Sequence, residues 1–261
     1  MKLTVIGCWA PYPRGGGACS SYLLQAAGLN ILMDAGSGSL SKLMNIIDFR
    51  LLDGVIISHL HHDHYSDLFV LRYAIEGDRR GGGRKEPLPL FVPGVPQASY
   101  EQLAGYRRAF ATTPIESLPQ QFPGQDFAIH TLNIGGLEFR FAPTKHPMPG
   151  YSIAVGQPGG LVFSGDTAPT KALEHLAQKA ALFLCEASGL DEDAEAVREA
   201  HLTAGQAGTL ARDAGARRLL LTHFWPEYDP NLLGKQAEKT FGGPVDLARE
   251  GETYLIRKWD C

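Results

Sequence analysis

The segment His59-Leu60-His61-His62-Asp63-His64 packs four metal-binding side chains, His59, His61, Asp63 and His64, into six residues without a thiol. Imidazole nitrogen and carboxylate oxygen are donors that borderline zinc accepts readily. His59 and His61 lie two apart, so in an extended chain both rings project to one side with Leu60 on the other. Asp63 and His64 can then swing toward a second ion as the chain turns into a helix at Tyr65. A polar helix start with incidental histidines is the plainer alternative, but it does not ask for HxHxDH spacing.

Further ligands must come from distant segments, and three candidates each follow an apolar run. His146 stands in Thr144-Lys145-His146-Pro147 after Leu137 to Ala142. Asp166 follows Leu161-Val162-Phe163-Ser164-Gly165, and His223 follows Leu219-Leu220-Leu221-Thr222. Any one of them alone reads as a satisfied strand-end residue. Together with HxHxDH they read as the rest of a ligand set.

The elements that must position these residues alternate short β-rich runs with helical patterns. Strands are predicted at Leu3 to Gly7, Ser21 to Gln25, Asn30 to Met33, Gly54 to Ser58 and Leu90 to Val92. Others are predicted at Phe127 to Leu132, Leu137 to Ala142, Tyr151 to Val155, Leu161 to Ser164, Ala181 to Cys185, Arg218 to Thr222 and Thr253 to Ile256. Helical spacing covers Ser39 to Ile47, Tyr65 to Glu76 with a stop near Gly77, Gln97 to Arg108, Thr170 to Gln178, Thr203 to Ala214 and Asn231 to Thr240. This mixture fits two sheets with helices outside, or a single α/β sheet.

A length of 261 residues with 44% hydrophobic content suits one domain spanning residues 1–261. No apolar stretch approaches the roughly 20 residues of a membrane span, and the opening apolar run is too short for a secretion signal, so a cytoplasmic protein with no membrane partner is expected. Cys8, Cys19, Cys185 and Cys261 show no metal-binding spacing and read as reduced thiols. The net charge of -4 gives no general attraction to polyanions. The one local basic cluster, Arg79-Arg80-Gly81-Gly82-Gly83-Arg84-Lys85, lies in an expected mobile excursion over residues 78–89 and reads as a solvated loop or a phosphate contact.

HLHHDHYSDL at 59–68, the lone His146, FSGDT at 163–167 and LTHF at 221–224 resemble the ordered motifs of the metallo-β-lactamase superfamily, most closely its ribonuclease Z-like branch. The opening strand and MDAGSG at 33–38 extend the resemblance over nearly the whole chain. It implies a four-layer αββα sandwich with two divalent metal ions at one edge, zinc being expected and manganese the alternative. It assigns His59, His61 and His146 to the first ion, Asp63, His64 and His223 to the second, and Asp166 as the bridge. Asp34 resembles an early aspartate that supports the HxHxDH loop from behind; a turn-capping aspartate is the other reading. His201, in Glu199-Ala200-His201-Leu202-Thr203-Ala204, resembles a catalytic histidine ahead of a helix, and Glu186 could fix its tautomer. His62, His130 and His175 are left as surface or packing residues. The resemblance also makes a homodimer an expectation.

Two divalent ions sharing a water lower its pKa from about 16 toward ~7, which makes a bridging hydroxide available as nucleophile at neutral pH. Asp63 could orient it or accept its proton, and a histidine such as His201 would protonate a departing alkoxide. The tRNA-processing members carry a long arm between the lone histidine and the GD motif, but here only 19 residues separate His146 from Asp166. Trp225 and Glu227 also stand where that branch has a serine and an arginine. The expected activity is therefore hydrolysis of a small phosphodiester, such as a cyclic nucleotide or short oligonucleotide, and tRNA is not the expected substrate. Carboxyl-ester, lactone or thioester hydrolysis by the same ions is the second reading. A metal-stabilised binding module using the basic loop is the third.

Overall fold

Alternation of apolar side chains along the first strands dictates two buried layers. In β1 (Lys2–Gly7), β2 (Ser21–Ala26) and β3 (Leu29–Met33), the side chains of Leu3, Val5, Tyr22, Leu24, Ile31 and Met33 join one core. Ile6, Leu23 and Leu32, pointing the other way, join a second. A strand buried on both faces has to lie between two layers. The computed structural model describes residues 1–121, 127–156 and 159–257; Cys261 lies outside them, while Cys8, Cys19 and Cys185 are free and buried.

The chain continues through β4 (Gly54–Ile56), β5 (Leu88–Val92) and β6 (Phe110–Pro114), then builds β7 (Gln120–Gln121), β8 (Ile129–Ile134), β9 (Leu137–Pro143), β10 (Tyr151–Val155), β11 (Leu161–Phe163), β12 (Leu182–Glu186), β13 (Leu219–Thr222) and β14 (Asp246–Leu247), and returns as β15 (Thr253–Leu255). These form a seven-stranded sheet in the order β15-β1-β2-β3-β4-β5-β6 and an eight-stranded sheet in the order β14-β13-β12-β11-β10-β9-β8-β7. The two-sheet alternative is therefore the one realised. Each sheet is antiparallel at one end and parallel at the other, where β3 to β6 and β11 to β14 run side by side.

Helices α1 (Ser39–Leu43), α2 (His62–Tyr65), α3 (Leu68–Arg80) and α4 (Gln97–Ala104) belong to the half of the chain that builds the first sheet. Helices α5 (Lys171–Ala177), α6 (Ala194–Val197), α7 (Ala204–Asp213) and α8 (Pro230–Phe241) belong to the half that builds the second. α3 presents Leu68, Leu71 and Ile75 to the outer core of the first sheet, while α5, α7 and α8 bury Leu173, Leu176, Leu210 and Leu233 against the second. The result is an αββα sandwich.

Three expectations need correcting in detail. The helix expected to stop at Gly77 runs on to Arg80, because Gly77 sits on the exposed face, where a glycine costs only ~1 kcal/mol and opens no hole. The following basic segment is also tied down. Asp78 accepts from Arg50 Nε and Arg84 N, both at 2.7 Å, and Arg84 reaches back to the carbonyl oxygens of Arg50 and Leu52. Leu52 precedes β4, so this loop lies at the opposite end of that strand from His59, which follows it. The helix expected through Arg108 ends at Ala104 before Gly105. β6 and β14 had no strong pattern: FATTP carries little apolar alternation, and two-residue β14 has none.

Candidate metal centre

In both sheets, the parallel strands end at the same edge, and the loops leaving those ends carry the chemistry, as expected where parallel strands deliver their carboxyl termini. Asp34 follows β3, His59 follows β4, Asp166 follows β11, Glu186 ends β12 and His223 follows β13. Asp34 and His223 adopt left-handed φ values of 56° and 60°, a strained backbone that persists only where surroundings enforce it. Gly165 (φ +58°) leads into Asp166, and a Cβ there would come within 2.9 Å of the Tyr151 carbonyl oxygen. At Gly36 a Cβ would fall 2.0 Å from the Asp63 carbonyl oxygen, so only glycine lets the MDAGSG turn pack under the histidine loop.

All seven proposed ligands converge. The ligand atoms of His59, His61, His146 and Asp166 lie within 4.8 Å of one another, as do those of Asp63, His64 and His223. His61 Nδ1 is 3.1 Å from His59 Nε2 and 3.0 Å from His146 Nε2. His64 Nε2 is 3.2 Å from His223 Nε2. Asp166 stands between the two groups: its Oδ2 is 3.5 Å from His59 Nε2 and 3.4 Å from His64 Nε2, and its Oδ1 is 3.1 Å from His223 Nε2.

The outer nitrogens decide which way the lone pairs point. His146 Nδ1 donates to the Ala200 carbonyl oxygen at 2.9 Å, which leaves Nε2 unprotonated and turned inward. His64 Nδ1 lies 2.7 Å from Asp34 Oδ2, and Asp34 also accepts from Ser58 N at 2.7 Å and Ser58 Oγ at 2.9 Å. His223 Nδ1 donates to Ser188 Oγ at 2.8 Å, and that hydroxyl donates to Glu186 Oε2 at 2.5 Å. Asp166 Oδ1 is buried and makes no well-directed hydrogen bond. The inward lone pair of His146, the ring nitrogens of His59, His61, His64 and His223 gathered around Asp166, and the Asp166 Oδ1 that lacks a well-directed partner suit a cation. The donor set therefore fits divalent metal ions.

Charge divides the cluster. Burial lowers the pKa of His59, His61 and His146, with the neighbouring imidazoles adding to the effect, so these three are neutral and ready to ligate. Burial pushes His64 the same way, but the Asp166, Asp63 and Asp34 carboxylates outweigh it and hold its pKa well above the ordinary value. His223 is likewise raised to about 10, chiefly by Asp166. Burial pushes the Asp63 carboxyl upward, but His64 and His223 hold it well below the carboxylate range. His64 Nε2 and His223 Nε2, 3.2 Å apart, cannot both carry a proton, so a cation among Asp63, His64 and His223 displaces one of them. Affinity there should weaken by about tenfold per pH unit as pH falls below neutrality, more steeply than affinity among His59, His61 and His146. Chelator competition at pH 6.5 and 7.5 reads both; equal slopes for the two ions would refute this division.

His201 hangs over the same place. Its ring stacks on His223 at a centroid distance of 5.5 Å, and one of its nitrogens lies within 4.8 Å of the ligand atoms of Asp166 and His223. Nδ1 is 3.1 Å from Oε2 of the fully buried Glu186. Burial lowers the His201 pKa, but the Glu186 charge overrides it and the net shift is upward. The backbone around the histidine is fixed: its own N–H donates to the Val197 carbonyl oxygen at 2.8 Å, Ser188 N and Gly189 N bond the Leu202 carbonyl oxygen, and Thr203 forms a capping box with Gln206 at the start of α7.

His62 is exposed but lines the cavity over the cluster, whereas His130, buried against Tyr151, and half-buried His175 are the packing and surface residues expected. Sequence reasoning missed Ser58, Ser188 and Asp67. Ser188 was within reach, since in an extended chain it shares a side with Glu186 two residues earlier. Asp67 accepts from Gly38 N at 3.2 Å and Leu40 N at 2.7 Å, capping α1 from the histidine loop. Above the cluster opens a cavity of about 500 Å³, with His61, Asp63, His146, His201 and His223 on its floor and Trp225 on its wall.

Fold and site together define a metal-dependent hydrolase scaffold. The chain belongs to the metallo-β-lactamase superfamily: a family model described as a β-lactamase superfamily domain matches residues 29–224. It is 30% identical over 253 residues to a probable metallo-hydrolase, YhfI of Bacillus subtilis, covering 96% of this chain and 98% of that one. The crystal structure of YhfI, described as a metallo-β-lactamase fold protein, superposes with a TM-score of 0.86 at 29% identity over 97% of this chain and 98% of the other. Ribonuclease Z of Myxococcus xanthus is 27% identical over 307 residues, covering 98% of each chain. The short form of human tRNase Z shares the fold, with a TM-score of 0.74 at 21% identity over 98% of this chain and all of that one (100%). Among the described residues no helix is long and apolar enough to cross a membrane.

Proposed function

We propose that residues 1–261 act as one dinuclear metal-dependent phosphodiesterase domain working on a small phosphodiester. The observation that carries this reading is His201, backed by buried Glu186 and set beside Asp166 and His223 at the cavity floor. An ester whose leaving group is a poor one needs a proton donor there; an acyl substrate with a good leaving group does not.

On this reading His59, His61 and His146 would hold one divalent cation and Asp63, His64 and His223 the other, with Asp166, which stands between the two groups, available to both. Bound there, the pair would supply an activated water and neutralise charge on the attacked phosphoryl group. Asp34 and Ser58 keep His64 in register, while Ser188 does the same for His223 by passing its hydrogen bond to Glu186. Asp63, ionised, can accept a hydrogen bond from the attacking water. His201 delivers a proton to the departing oxygen, and Glu186 holds it in the charged form that can do so. Ribonuclease Z relatives and a diphosphatase of the PhnP family among the structural neighbours lend support for phosphoester chemistry. A cavity of about 500 Å³ suits a small ester better than a folded RNA.

Metal-replete protein should turn over bis(p-nitrophenyl) phosphate, lose that activity to a chelator and regain it with zinc or manganese. Hydrolysis of p-nitrophenyl acetate or a lactone by a protein inert to every phosphodiester tried would instead establish the acyl-hydrolase reading.

A further inference from the structure

The cavity above the cluster is chemically two-sided. Its floor is imidazole and carboxylate, but its wall is largely apolar, made by Ala10, Pro11, Val197 and the indole of Trp225, with His62 and Ser188 completing the lining. Among the described residues no lysine or arginine lines it. The cations close by are committed elsewhere. Lys145 Nζ lies 3.1 Å from Glu199, Arg198 Nη1 lies 3.0 Å from Glu195, and Arg14 Nη2 donates at 2.7 Å to the carbonyl oxygens of both Pro226 and Tyr228. A second phosphate on the substrate would meet no lysine or arginine here, and what extends beyond the reacting group meets a mostly apolar wall.

Trp225 is 41% exposed, yet its loop is firmly mounted. Arg14 grips the backbone on its C-terminal side, Tyr12 Oη donates to Glu227 at 2.7 Å, and Tyr228 Oη donates to Asp193 at 2.6 Å, tying the loop to the segment that carries Val197. The Tyr228 ring meets the indole at 79° with centroids 5.0 Å apart. A large aromatic ring left in water on a rigid mount gains most when a flat partner covers it, and little ordering entropy is then lost.

We propose that Trp225 is a stacking wall for a planar ring of the substrate, so that the site takes a nucleobase-bearing phosphodiester with no additional phosphate. The identity of the reacting group rests on the phosphodiesterase reading; the stacking does not. The test uses metal-replete wild type, Trp225→Ala and Trp225→Phe. Adenosine binding is measured by calorimetry with ribose as the ring-free control. Turnover is compared between the p-nitrophenyl ester of thymidine 5′-monophosphate and methyl p-nitrophenyl phosphate, which share a leaving group. Adenosine should bind about tenfold more weakly to Trp225→Ala, with Trp225→Phe recovering most of the loss. The thymidine ester should show a matching rise in KM and the methyl ester should not. Adenosine binding that is absent, or indifferent to Trp225, would overturn the proposal. Adenosine binding that depends on Trp225 in a protein cleaving no phosphodiester would support the wall and remove the reaction assigned above.

Discussion

Asp166→Ala should lose both cations and about a thousandfold or more in turnover, the largest effect of any single substitution in this protein. Its carboxylate is the one group shared by the two halves of the cluster, with Oδ2 between His59 and His64 and Oδ1 against His223. Without it, five imidazoles face one another with Asp63 as the only remaining carboxylate of the set, and neither ion keeps a complete shell. Elemental analysis of the purified variant should give well under one metal per chain, alongside an unchanged circular dichroism spectrum. Two retained metals would mean that Asp166 does not bridge.

His201→Ala should act differently, leaving metal content intact and lowering kcat by about 10² to 10⁴ on esters with an alkoxide leaving group. On p-nitrophenyl esters the loss should be small, because p-nitrophenolate departs without a proton. Glu186→Gln keeps the hydrogen bond but removes the charge that raises the His201 pKa above its ordinary value. An acid that must be protonated is active below its pKa, so the alkaline limb of the kcat profile should move to lower pH in Glu186→Gln. An equal loss on both ester types, or an unmoved limb, would assign His201 to structure and not to proton transfer.

The side chains that converge were legible because metal chemistry constrains residue type and spacing together: HxHxDH admits few other uses, and His146, Asp166 and His223 each sit where an apolar strand runs out. The strands were legible for a related reason, since burial on both faces leaves runs such as Leu219-Leu220-Leu221. What escaped were contacts with no periodicity. Ser58, Ser188 and Asp67 are short polar side chains whose role depends on which loops meet, and loop meetings are set by the stacking of two sheets. The same holds for α3, whose end is fixed by Asp78 meeting Arg50 from a separate segment, so Gly77 could not mark it. The choice between one sheet and two was equally invisible, because strands in either arrangement carry the same pattern.

The proposed chemistry needs two cations held by these seven side chains. Anomalous diffraction at the zinc edge from zinc-soaked crystals measures this directly. It should show two peaks, one within about 2.1 Å of nitrogens from His59, His61 and His146 and the other at the same distance from His64 and His223, with Asp166 reaching both. A single peak, or a pair away from Asp166, would contradict it.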